Sequence, residues 1–306
     1  MKTAAQWTVM ILGLGCSILM FLLIKPFLLS ATGTFGPTVL QAESPGPAVV
    51  AVLVALAAGT AIACLASRLL AFGDVPHEDE QPFSSAPLID PHDDRPRPRS
   101  SGTGMLIIGI GLGWTCLQLE SVQTVILDGS TGLLAAEGML WGLLVLLMAA
   151  TVLRIGGPYV NLMQNDDGST DHWANSVAAI KLAACGACVL PVVWLIAQSP
   201  MKGQVVIATT LGGVAAGLVG RLASPTVQPV LLFPAVCVFG ALGQWVTGLW
   251  LPSDPAALVA AGQLPAIVLP LPIDYAAGAL IGVPIGISWA NSFLEKQDSS
   301  QSPATT

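Results

Sequence analysis

Long apolar runs separated by short polar connectors restrict this 306-residue chain to one kind of solvent. The runs are 8–29, 47–70, 104–127, 133–153, 174–197, 204–222, 229–250 and 272–293. At about 1.5 Å rise per residue, about 20 apolar residues cross a hydrocarbon core about 30 Å thick. The pattern predicts an all-α, polytopic transmembrane bundle of about eight helices. A further piece, 256–270, is too short to span and is broken by Pro265, so it is either interfacial or re-entrant, and seven or nine crossings stay open.

Charge content agrees. Only 9% of residues are charged, against about 25% in soluble domains, and mean hydropathy is +0.75. The net charge of −7 comes mostly from acids in two connectors, so it gives no support to nucleic-acid binding. The first run is about 22 residues, longer than the apolar part of a signal peptide, and no small-residue cleavage site follows it cleanly, so it reads as a retained helix.

Lys and Arg set the orientation, because cytoplasmic loops carry the excess. With an even count, Lys2, Arg68, Arg95, Arg97, Arg99, Arg154, Arg221 and Lys296 share one side, while Lys25 and Lys202 take the other. Both termini are therefore expected in the cytoplasm, in a cell membrane. A reporter fused to the C-terminus should be active only in the cytoplasm; activity on the far side would reverse the parity.

The chain divides into a first hairpin (1–72), a linker (73–103), a bundle of about six helices (104–293) and a polar tail (294–306). The linker holds acids, prolines and the Arg95, Arg97, Arg99 cluster, a composition that cannot offset its ordering entropy. Arg68, Arg154, Arg221 and Asn291 end alternate spans, the later marks about 70 residues apart. Four tandem hairpins would produce this spacing, and so would positive-inside placement alone.

In lipid, helices associate by close van der Waals fit, so Gly at four-residue spacing marks packing faces. Gly278, Gly282 and Gly286 form a two-step stripe in the last span; Gly109/Gly113, Gly138/Gly142 and Gly213/Gly217 repeat the spacing once. Pro191, Pro229, Pro234 and Pro284 fall inside spans, where each removes a backbone hydrogen bond.

Ionisable residues in apolar spans are functional candidates, since each costs about 2.5–3.5 kcal/mol at mid-bilayer. Lys25 and Asp274 lie at span ends and have interfacial explanations. Glu120, Glu137 and Lys181 form the candidate intramembrane polar site. Glu120 and Glu137 sit on two helices of one hairpin and face each other if the third span is continuous; if it ends near Leu119, Glu120 lies in a wet loop.

All six cysteines lie in spans, and Cys185-Gly-Ala-Cys188 has no second pair, so packing explains it better than metal or redox chemistry. Gly109-Ile-Gly-Leu-Gly113 follows no strand, and the His77 and His92 clusters match no metal-site spacing. No cofactor and no enzyme activity are expected. Two functions remain: a small-solute or ion permease, or a non-catalytic scaffold or accessory subunit. The expected partners are the lipid bilayer and other membrane proteins or a second copy of the chain.

Overall fold

The computed structural model describes residues 2–29, 38–72, 101–127, 131–159, 176–225, 227–252 and 254–301. The 73–100 part of the linker, with His77, His92 and the Arg95–Arg99 cluster, lies outside them. The helices are α1 (Lys2–Ile24), α2 (Pro45–Phe72), α3 (Ser101–Cys116), α4 (Gln123–Leu127), α5 (Thr131–Gly156), α6 (Ser176–Ala184), α7 (Val189–Ile196), α8 (Lys202–Ala223), α9 (Leu232–Gly248), α10 (Ala256–Ala260) and α11 (Pro272–Gln301).

Polar contacts gather at two opposite ends of the bundle. At one, Arg68 Nε donates to the Ile155 carbonyl (3.1 Å), Ser101 Oγ to the Gly157 carbonyl (2.7 Å) and Arg221 Nε to Asn291 Oδ1 (2.9 Å). At the other, Lys25 Nζ meets Gln118 Oε1 (3.3 Å) and Lys202 Nζ meets Asp274 Oδ2 (3.3 Å). We call these the arginine end and the lysine end. The described helices pass between them eight times: α1, α3, α6–α7 and α9 run toward the lysine end, and α2, α5, α8 and α11 return.

Seven of these crossings are long and apolar enough to span a bilayer; the eighth, α3, has 16 residues, about 24 Å of rise. The expected span to residue 127 is therefore interrupted. At Cys116 the chain tightens, with Gln118 N–H bonding to the Thr115 carbonyl (2.9 Å) and Leu119 N–H to that of Cys116 (3.3 Å). Polar Gln118, Glu120 and Ser121 then occupy the turn before α4. The fifth span is also divided: Cys185–Cys188 form a 3-10 turn between α6 and α7. Pro191 lacks the N–H that would bond to the carbonyl of Ala187, so regular α-helical bonding is lost around the turn.

Other expectations shift for related reasons. Pro229 and Pro234 lie in the 3-10 entry and first turn of α9, where a missing N–H costs nothing, whereas Pro284 interrupts the interior of α11. Residues 294–301, expected as tail, continue α11. Segment 256–270 stays near the lysine end: α10 is on the surface, and the 3-10 turn Ala266–Val268 packs against α7 and α9.

Helix α11 is central, touching α8, α3, α9 and α5. Its first turn is accordingly buried rather than interfacial. Asp274 is 0% and Tyr275 1% exposed, and Tyr275 Oη donates to the Ile267 carbonyl (3.1 Å). On the outside, Ile180 and Leu195 are each 68% exposed, a surface that water would not tolerate and lipid solvates.

Candidate functional site

Helices α8 and α11 run parallel in nearly constant register. Their polar ties join residues 72 positions apart at the lysine end and 70 at the arginine end. Between the ties the backbones nearly touch. A Cβ on Gly278 would lie 2.6 Å from the Thr209 carbonyl carbon, and one on Gly282 would strike the Thr210 carbonyl oxygen and lie 2.7 Å from Val214 N. A Cβ on Gly286 would collide with the Val214 carbonyl oxygen, and one on Gly213 would reach the backbones of Gly278 and Gly282. Glycines on both helices remove the side-chain bulk that would otherwise separate them.

At the lysine end, Asp274 is the third residue of α11 and reaches back to accept the Leu271 N–H (2.7 Å) through Oδ2, capping the helix. The same oxygen takes Lys202 from the start of α8. Asp274 Oδ1 is buried and makes no hydrogen bond, and the Cys116 thiol at the end of α3 lies beside the carboxylate. Lys202 looked like an ordinary outer-loop cation and Asp274 like an interfacial acid. Their pairing follows from two parallel helices starting at one level, which spacing along the sequence does not reveal.

At the arginine end a cleft of about 420 Å³ opens between α3 and α11. Gly102, Thr103 and Leu106 form one wall; Pro284, Ser288 and Asn291 lie along the other, with Tyr159 beside them. No acid or basic side chain lines it among the described residues. Asn291 gives its carbonyl oxygen to Arg221 Nε, which leaves its amide N–H groups as donors. Arg221 is 4% exposed and also donates to the Pro225 carbonyl. Tyr159 Oη donates to the Ala149 carbonyl (2.8 Å), so the ring serves as wall.

Beyond Pro284 the α3–α11 seam closes. A Cβ on Gly109 would lie 2.8 Å from Ile281 Cγ1 and 2.9 Å from the Leu280 carbonyl carbon. Leu280 is also the residue whose carbonyl loses its helical donor because Pro284 has no N–H. Along one seam, therefore, the cleft, the proline interruption, a tight glycine contact and the buried ion pair follow in order.

The three polar candidates from the sequence take separate places. Glu120 lies in the turn beyond α3, half-buried, while Lys181 is exposed on the outer face of α6. Glu137 is 1% exposed in α5; its Oε1 accepts the Val39 N–H (3.4 Å) and Trp141 Nε1–H (3.3 Å). None of the described hydrogen bonds or ion pairs joins one of the three to another.

Comparison with protein-family profiles, curated proteins and solved structures finds no match for the chain. The apolar helices decide its class. This is a multi-pass membrane protein.

Proposed function

We propose that the protein is a permease for small uncharged solutes, with the α3–α11 seam as its route. The observation that carries this reading is the cleft at the arginine end, lined as far as Leu106 on α3 and Pro284 on α11, with the tight Gly109–Ile281 contact and then the Lys202–Asp274 pair farther along the same two helices. In alternating access a site open to one side is closed toward the other by packed side chains and polar ties, and the two arrangements exchange by movement about a helix break. Pro284 supplies such a break between the cleft half and the ion-paired half of α11. A described lining with hydroxyl and amide groups, and no acid or base among the described residues, favours a neutral polar solute over an ion.

Proteoliposomes challenged with an osmotic gradient of polyols, sugars or neutral amino acids should re-swell faster than empty vesicles for at least one class. Ser288→Trp, which places an indole in the cleft, should remove most of that difference. Re-swelling indistinguishable from empty vesicles across the whole panel would favour the scaffold reading, in which the exposed apolar faces bind partner helices.

A further inference from the structure

Asn291 meets the cleft in one orientation only. Arg221 carries N–H groups and no acceptor, and its Nε donates to Asn291 Oδ1 (2.9 Å), so the carboxamide has to keep its oxygen on that side and its NH2 on the other. Arg221 is itself buried and donates to the Pro225 carbonyl as well, which holds the guanidinium in place. Asn291 lines the cleft, and no acceptor among the described residues takes its amide N–H groups. Ser288, one turn inward on the same face of α11, and Thr103, on the facing wall, each bring an O–H donor to the lining. Farther in, Leu106, Pro284 and Ile285 make the walls apolar. From Asn291 to Pro284 the helix rises about 10 Å, room for a ring or a short chain between the polar mouth and the apolar interior.

We infer that Asn291 makes the cleft select solutes that carry a carbonyl oxygen, the class of small neutral amides, ureas and lactams, and, resting on the permease reading, that this class is what crosses. An amide NH2 only donates, so a ligand has to offer an acceptor at the mouth. A carbonyl oxygen has two lone pairs and can take Asn291 N–H together with a hydroxyl from the lining. A solute of the same shape with a poorer acceptor leaves the N–H groups out of water and unpaired, which weakens its binding about tenfold or more. A carboxylate carries the same kind of oxygen, but its charge would enter a cleft with no basic side chain in its described lining, since Arg221 is spent behind Asn291.

The test is equilibrium dialysis of radiolabelled ε-caprolactam against nanodiscs with and without the protein. A saturable excess of one lactam per chain over empty discs is expected. N-methylcaprolactam, which keeps the carbonyl and loses the N–H, should compete as well as the lactam, and ε-thiocaprolactam, whose sulfur is a poorer acceptor, about tenfold more weakly. Asn291→Asp keeps an oxygen for Arg221, and with it the tie between α8 and α11, but turns the free edge from donor to acceptor; it should weaken the lactam about tenfold or more. Ser288→Trp should abolish the excess. No excess over empty discs, equal competition by the thiolactam, tighter competition by cyclohexanecarboxylate, or undiminished binding in Asn291→Asp would overturn the inference. Should Asn291→Asp fail to fold by gel filtration, Ser288→Trp decides alone: undiminished binding there overturns it as well. Lactam binding without faster re-swelling in acetamide, urea or the wider panel would sink the permease and leave the carbonyl site, whereas re-swelling specific to polyols without lactam binding would do the reverse.

Discussion

Replacing Gly282 with leucine is expected to cost at least about 3 kcal/mol of stability, read as a large fall in the thermal midpoint of the detergent-solubilised protein. Overpacking is tolerable where a flexible side chain can swing aside. Here the obstacles are the Thr210 carbonyl oxygen, Val214 N and the Gly213 carbonyl carbon, all backbone atoms of a neighbouring helix. The only relief is separation of α8 from α11, and that strains both polar ties at the helix ends. Even Gly282→Ala should destabilise measurably. Gly203→Ala is the control, because a Cβ there meets nothing within 4 Å and alanine improves helix propensity. If the two alanine variants melt together, the close crossing has no energetic weight.

Lys202→Met should cost about 3–5 kcal/mol, and more than Asp274→Asn. The asymmetry comes from burial: the lysine side chain is 14% exposed and the aspartate 0%. Without Asp274 the ammonium can still turn toward the membrane surface and water. Without Lys202 the carboxylate stays in a dry site, held by the Leu271 N–H alone among its described hydrogen bonds. Asn at 274 also keeps an oxygen for that N–H, so the helix cap survives. The double variant Lys202→Met/Asp274→Asn should recover much of the loss, since it leaves no charge in the site. Chemical denaturation of the three variants in one detergent checks the order; equal losses for the two single variants would mean that both charges are hydrated.

The pair also bears on the proposed permease. If it closes the lysine end of the seam, Asp274→Asn should change flux in proteoliposomes by a larger factor than it changes stability. A scaffold has no reason to show that separation.

The sequence made the helices legible because lipid imposes a one-dimensional rule: a crossing must be long and apolar, and its peptide groups must bond within the helix. Spans such as 47–70 and 204–222 follow from that rule alone. It fails where a span is shortened by its surroundings. Residues 117–127 left two readings open, a continued α3 or an end near Leu119 with Glu120 in a loop, and the chain turns at Cys116, where the helix has already reached the level of Asp274.

Side-chain roles were less legible than helices. Glu137, Gly278, Gly282 and Gly286 stood out because charge and small size are unusual at those positions whatever the fold. Asp274, Tyr275 and Lys202 did not, since span ends ordinarily face the interface. Their burial follows from the central place of α11, which puts its first turn under the 264–271 segment and beside the start of α8. Arg221 likewise read as a topology marker and is in the structure a buried tie to Asn291.

Composition and the spacing of apolar runs alone thus determined that this chain lives in a bilayer as a helical bundle, because hydration and hydrocarbon solvation act on each segment independently. Which helices run side by side, which charges meet and where a cleft remains were decided only by tertiary packing. Those features depend on contacts between residues 70 or more positions apart, as in Lys202–Asp274, Arg221–Asn291 and Gly109–Ile281, and no local pattern encodes such distances.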